Sequence, residues 1–356
     1  MDVIRIGLIG AGFVAQGRQL PAFKTMPDVT LQAVWSRNPL NAAKAAAEFG
    51  FRETADDWRE IAQSPDVDAV VISTPPVLHL PATLAALEAG KHVLCQARMA
   101  RNLKESQEMA RAAQASDLVT ALYPPRPGLK GDRVMKRLIH EETYLGPDIL
   151  DVRVAGIEGN HVGGVSKYHW RTDPEVSGVN AMRMGLWAEV LHRWVGTATS
   201  VVATGKPHMP LRPTVKDKWA DAVIPDSLAI SAQMECGATA SFHFSAISVQ
   251  PSELAIEIYG SEGTLIYDLS TDEIRGTREP GSSVTLIDIP PEEIRAHDTD
   301  SEFVNAIRGG ESVSPDFEEG LRYMEFSEAV AQSVMTGSAV AVPPEPKMDS
   351  WGRTLE

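Results

Sequence analysis

The hydrophobic pattern along the chain has two regimes. In the first third, short and mostly apolar runs (Val3 to Ile9, Leu31 to Trp35, Ala69 to Ile72, Lys91 to Leu94 and Leu118 to Leu122) are separated by stretches of helical periodicity. Strands apolar on both faces are buried on both faces, which is the signature of a parallel sheet covered by helices on each side. Asn41 to Phe49 is alanine-rich, and Val77 to Glu88 and Leu103 to Ala115 place apolar residues three and four apart, so these segments are the connecting helices. The expectation over residues 1–122 is an α/β domain with a doubly wound parallel sheet.

Tyr123-Pro124-Pro125-Arg126-Pro127 interrupts this alternation, because consecutive prolines remove backbone donors and exclude helix. A second domain is expected over 123–356. Lys130 to His140 reads as a helix, Ile149 to Gly156 as a strand, and Met182 to Trp194 as a helix rich in large apolar residues. Beyond it, Leu228 to Met234, Ala238 to Phe244, Leu254 to Tyr259, Thr264 to Asp268 and Val284 to Ile289 are bounded by turn residues at hairpin spacing. That spacing predicts a C-terminal α/β domain with a large, mostly antiparallel sheet.

Length and composition narrow the function classes. A chain of 356 residues, 43% hydrophobic and 23% charged, supports two ordinary globular cores. With 33 Lys plus Arg against 48 Asp plus Glu, the formal charge of −15 repels nucleic acid and anionic membrane surfaces. Two cysteines far apart, Cys95 and Cys236, and nine histidines without a close pair predict no metal. Together with an opening Met1-Asp2-Val3-Ile4 that lacks a basic leader and the lack of a run of about 20 apolar residues, they predict a soluble cytoplasmic protein with a small-molecule substrate.

The first strand runs into Gly10-Ala11-Gly12-Phe13-Val14-Ala15, a Gly-x-Gly-x-x-Ala turn opening a helix. The first glycine allows the tight turn, the second lets a pyrophosphate approach the backbone, and Ala15 allows close helix packing. The helix N-terminus supplies N–H groups and a favourable dipole for the phosphates. The alternative is a simple strand-helix turn, but the alternating context favours a dinucleotide. At the end of the second strand stands Ser36-Arg37-Asn38, without the carboxylate that selects NAD. Arg37 can pair with a 2′-phosphate or stack on adenine, so NADP is favoured over NAD; the alternative is a solvated loop arginine.

These residues, with Ser73-Thr74-Pro75-Pro76 and His79, Ala89-Gly90-Lys91-His92-Val93-Leu94-Cys95, Trp170-Arg171, Ile258-Tyr259-Gly260-Ser261-Glu262-Gly263-Thr264 and Ser314-Pro315-Asp316-Phe317, make the chain resemble the Gfo/Idh/MocA family of NAD(P)-dependent oxidoreductases. The resemblance spans nearly the whole sequence. It implies a Rossmann domain followed by an α/β domain whose open sheet mediates homodimers or homotetramers. It also implies a cofactor set of Gly10, Gly12, Phe13 and Val14 for the pyrophosphate, Ser36 and Arg37 for the ribose, Thr74, Pro75 and His79 nearer the nicotinamide, and Gln96. His79 could instead be a helix-start residue held by local contacts.

The catalytic half departs from the family pattern. Where the family has Glu-Lys-Pro, this chain has Gln96-Ala97-Arg98, and where the family's helix carries Asp and then His, it has Arg183 and Trp187. Alanine and tryptophan cannot shuttle a proton, and arginine stays charged. Arg98 and Arg183 would favour an anionic sugar, polyol or hydroxy-acid-like substrate, unless each simply neutralises a carboxylate such as Glu189. Tyr123, His169 and Arg171 flank this centre, and Tyr123 or His169 could supply a proton; the alternatives are a packing tyrosine and a surface histidine. His192 projects away from Arg183 at 100° per residue. The expected activity is oxidoreductase, with a net non-redox lyase or epimerase and a non-catalytic nucleotide sensor as alternatives.

Overall fold

The computed structural model describes residues 3–124, 129–158, 167–214, 218–249, 253–295 and 299–344. The proline run expected to end the first domain continues past Pro124 outside the described residues. The chain divides into two units: one of Met1–Gly128, Glu175–Gly178 and Ala296–Leu321, the other of Leu129–Pro174, Val179–Arg295 and Arg322–Glu356.

In the first unit the apolar runs become β1 (Ile4–Ile9), β2 (Val29–Trp35), β4 (Ala69–Ile72), β5 (His92–Gln96) and β6 (Thr120–Tyr123), joined by a two-residue β3 (Glu53–Thr54). They form one parallel sheet in the order β3-β2-β1-β4-β5-β6. β4 is buried at every position and β1 at all but one, as double-sided coverage requires. The helix Pro39–Phe49 starts where the Asn38 side chain accepts from Leu40 N at 3.1 Å. The core of this unit includes Phe303, Val304 and Val313 from far along the chain. Leu122 N donates to Pro315 O at 2.8 Å, tying the same late segment to β6.

The second unit is built on β7 (Ile149–Ile157), β8 (Ala198–Lys206), β11 (Ser227–Met234), β12 (Thr239–Ser245), β13 (Glu253–Gly260), β14 (Thr264–Asp268), β15 (Glu273–Thr277), β16 (Thr285–Ile287) and β17 (Val340–Ala341). A separate ribbon pairs β9 (Leu211–Pro213) with β10 (Trp219–Asp221). The nine strands follow the order β16-β15-β14-β13-β7-β12-β11-β8-β17, antiparallel except at the β7–β12 pair. Alternate residues of β11 and β12 are buried, so Leu228, Ile230, Ala240, Phe242 and Phe244 share one core with Val134, Trp187, Leu191, Trp194 and Phe326 from helices. Each such large side chain contributes about 1.5–3 kcal/mol by leaving water.

The helices and strands read from the pattern are present, with ends shifted by a residue or two. Elements that the pattern did not mark come in addition, among them β8, β15, β17 and the helices Trp58–Gln63, Thr299–Ile307 and Phe317–Thr336, and the helix expected after the glycine-rich turn begins as a π-helical turn, Ala15–Gln19. Among the described residues, no helix is long and apolar enough to cross a membrane and no His/Cys/Asp/Glu group could hold a metal ion.

Candidate active site

In the first unit the strand order reverses between β1 and β4, and in open parallel sheets ligands bind beyond the carboxyl ends of the strands at such a reversal. Gly10 follows β1 with φ +104°, a conformation that disfavours any other residue, and its N–H donates to Trp35 O at 2.8 Å. A Cβ there would lie 2.6 Å from Ser73 O, so β1 and the segment after β4 can approach only because the residue is glycine. At Gly12 a Cβ would find nothing nearer than Ser73 O at 3.9 Å, leaving open space over the backbone. Phe13 is 87% exposed and Val14 half-buried at the start of the helical segment. A bare, open turn at a strand reversal fits a dinucleotide pyrophosphate.

Ser36 and the exposed Arg37 follow β2, and Asn38 is engaged in capping the next helix. Thr74 is buried, Pro75 half-buried, and the buried Gln96 accepts from Ser73 Oγ at 3.2 Å. The His79 ring is enclosed, with Nδ1 3.0 Å from both Arg98 O and Met99 O and Nε2 2.8 Å from Thr74 O. Burial pushes this imidazole below its usual range, opposed by the three carbonyls and by Glu105. Arg98 is itself buried, the Ala97–Arg98 peptide is cis, and Ala97 N donates to Tyr123 O at 2.8 Å. The Tyr123 ring packs inside the core of this unit at 2% exposure.

In the second unit, His169 caps the short turn Trp170–Thr172: its Nδ1 accepts from Arg171 N at 3.4 Å, while His169 N donates to Thr172 Oγ1 at 3.3 Å. Arg171 lies with its guanidinium carbon 4.1 Å from the centre of the Trp170 ring. Although Arg171 is exposed as a residue, that stacking removes water from one face of the guanidinium; desolvation first, and then the charge of Arg183, push it below its usual range. His169 is likewise lowered, by desolvation and then by Arg171.

Arg183 occupies the N-cap of the helix Met184–Val195 and pairs with Glu158 Oε1 at 2.9 Å. Its partner is Glu158 rather than Glu189, which pairs with Arg193. One turn on, Trp187 is 3% exposed, and its indole N–H has no hydrogen-bond partner among the described residues. Further along the helix, Asp132 accepts from Arg193 Nη1 at 2.6 Å, Trp194 Nε1 at 2.9 Å and Arg295 Nη1 at 2.9 Å. His192 meets Phe326 edge-on, and burial and Arg322 push it down to about 4. Met184, Leu186, Leu191 and Trp194 are core residues.

The first unit therefore gathers Gly10, Gly12, Thr74, His79, Gln96 and Arg98 around the ends of β1, β4 and β5, and the second gathers His169, Arg171, Arg183 and Trp187 with Glu158. Glu158 did not stand out in the sequence, since no local spacing links it to an arginine 25 positions later. Residues 4–123 match the oxidoreductase family with an NAD-binding Rossmann fold, GFO_IDH_MocA, and residues 148–342 match that family's C-terminal alpha/beta domain. The chain belongs to the Gfo/Idh/MocA oxidoreductase family. It is 28% identical to levoglucosan dehydrogenase of Pseudarthrobacter phenanthrenivorans over 96% of this chain and 99% of that protein. It is 27% identical to 1,5-anhydro-D-fructose reductase of Ensifer adhaerens over 95% of this chain and 98% of that protein. A solved structure of levoglucosan dehydrogenase in complex with NADH and L-sorbose superimposes with a TM-score of 0.84 at 25% identity, covering 96% of this chain and 99% of that one. As a Gfo/Idh/MocA member, the chain is an oxidoreductase whose first unit is the NAD-binding half.

Proposed function

We propose that this protein is an NADP(H)-preferring oxidoreductase of a sugar or cyclic polyol. The observation that carries the reading is the bare Gly10–Gly12 turn at the β1/β4 reversal, followed after β2 by an exposed arginine and no carboxylate. The substrate class is supported by the relatives, a levoglucosan dehydrogenase and a 1,5-anhydro-D-fructose reductase. A scyllo-inositol 2-dehydrogenase (NADP(+)) of Bacillus subtilis, 32% identical over 39% of this chain and 42% of that protein, supports both substrate class and cofactor.

When bound, the nicotinamide supplies the hydride acceptor or donor. In the oxidative direction a carbinol loses hydride from carbon and a proton from its hydroxyl, so the chain must hold the carbinol and take that proton. We assign the proton to the imidazole of His169: desolvation and Arg171 hold it below its usual range, so it is neutral at pH 7, and its one lone pair, on Nδ1, exchanges the long 3.4 Å contact from Arg171 N for the carbinol proton. Arg171 and the Trp187 indole N–H are donors for substrate oxygens, and neither exchanges a proton. The Glu158 pairing of Arg183 cancels one of the two charges that suggested an anionic substrate, which favours a neutral one. Copies of the chain pair through the open face of the nine-stranded sheet, where Val202, Ala229, Ser231 and Ser241 are exposed. Initial rates with NADPH, NADH, their oxidised forms and a panel of neutral sugars, polyols and uronates test the reading. Cofactor turnover confined to neutral carbohydrates is expected, and absence of turnover with all of them refutes it.

A further inference from the structure

Strands β4 and β5 pair as far as Ile72 and Cys95, and beyond that point the two chain segments run on as Ser73–Pro76 and Gln96–Met99. Both lie at the carboxyl end of the sheet, the side on which the proposed cofactor binds. The bond from Ser73 Oγ to Gln96 Oε1 and the ring of His79 connect them there. We propose that His79 is a positioning residue of the cofactor half of the site, its imidazole bridging the Thr74 carbonyl on one side and the Arg98 and Met99 carbonyls on the other. This inference rests on the oxidoreductase reading above.

The chemistry of the ring explains why histidine serves. Buried carbonyls need donors; a neutral imidazole donates its single N–H to a carbonyl on one edge, while its rigid plane packs the other edge against the opposite segment, so a single side chain spans both. His79 is also the first residue of the helix His79–Glu88, which anchors the ring on a regular element rather than a loop. Its hydrogen bonds are with backbone, so it acts through the segments it bridges: Thr74 and Pro75 on one, and Gln96 and the Arg98 side chain on the other. None of the hydrogen bonds of the ring runs to the Gly10–Gly12 turn, so the experiment reads pyrophosphate binding and nicotinamide placement separately.

The experiment uses the full chain with His79→Leu, which removes both ring nitrogens, and His79→Gln, which restores one donor. NADPH is titrated into each, reading affinity by fluorescence, immobilisation of the bound nicotinamide by its anisotropy, and single-turnover hydride transfer. The expected result for His79→Leu is a dissociation constant within about fivefold of the wild type, lower nicotinamide anisotropy, and hydride transfer slowed by about tenfold or more, with partial recovery in His79→Gln. Anisotropy and transfer rate matching the wild type overturn the proposal. A loss of affinity that alone accounts for the slower rate overturns it too, as does failure of both variants to fold, which would make the ring purely structural. If the wild type itself shows no nicotinamide signal, the oxidoreductase reading fails first, a result distinct from a wild-type signal that His79→Leu leaves unchanged.

Discussion

Replacing Asp132 by Asn tests whether the helix Met184–Val195, which carries Arg183 at its N-cap and Trp187 in its first turns, is anchored by charge. Asp132 is 2% exposed and receives three donors, from Arg193, Trp194 and Arg295, two of them guanidinium groups that are themselves largely buried. The amide keeps the shape but presents one acceptor oxygen in place of two and no charge, while Arg193 retains Glu189. Breaking a buried pair of this kind costs roughly 3–5 kcal/mol, or about 10 °C of melting temperature for a unit of this size. The effect has a pH signature. Burial pushes the Asp132 carboxyl up, but Arg193, Arg295, Lys136 and the Trp194 bond together outweigh it and leave it below the usual carboxylate range. A depressed carboxyl contributes stability that is present above its unfolded pKa of about 4 and lost as pH falls through the folded value. Urea unfolding of wild type and Asp132→Asn, followed at pH 7 and at steps down to the acid limit of folding, should show a gap that is full at pH 7 and closes at the acid end. A gap below about 1 kcal/mol at pH 7, the size of an exposed pair, or one that stays constant with pH, would refute the reasoning.

Three further outcomes are expected. Gly10→Ala, whose methyl would sit 2.6 Å from Ser73 O at φ +104°, should weaken NADPH binding by about tenfold or more because the turn must open, measured by fluorescence titration. Arg37→Asp should invert the preference, with NADPH affinity falling about tenfold and NADH affinity holding; equal losses for both would sink the assignment of Arg37 to the 2′-phosphate. His169→Gln should slow oxidation by about a hundredfold. Because His169 must be neutral to accept a proton, the wild-type rate should hold down to pH values below about 6.5. Arg171→Gln, by removing a neighbouring positive charge, should move that acid limb upward, as a pH-rate profile would show.

The cofactor half was legible in the sequence because its determinants are local. Gly10 to Ala15 follow one strand within six residues, and the short apolar runs alternate with stretches of helical periodicity, which marks them as buried strands. The proposed substrate half was less legible. Arg183 is visible in the helix, but its charge is answered by Glu158 at the end of a strand, and the proximity of Arg171 to Arg183 follows only from the fold. His79 could be placed at a helix start, whereas the three carbonyls around its ring come from residues up to 20 positions away. The helix Phe317–Thr336 escaped the pattern for a different reason. It carries four glutamates and Gly320, a poor helix residue, yet a side chain there would strike Leu122 Cδ1 at 2.4 Å and Met99 Sδ at 2.8 Å. Tertiary packing chose a residue that local propensity would reject.

The first unit is discontinuous, and that bears on the order of events during synthesis. Phe303, Val304 and Val313 are buried among the residues of β1, β2 and β6, and Pro315 O takes the N–H of Leu122. A nascent chain emerging N-terminus first therefore exposes an unfinished apolar seam until residues beyond 315 have left the ribosome, by which time most of the second unit is already outside. The nucleotide-binding half is thus among the last parts of the protein to be completed, and a fragment ending near residue 122 would carry that seam into solution, where it invites aggregation.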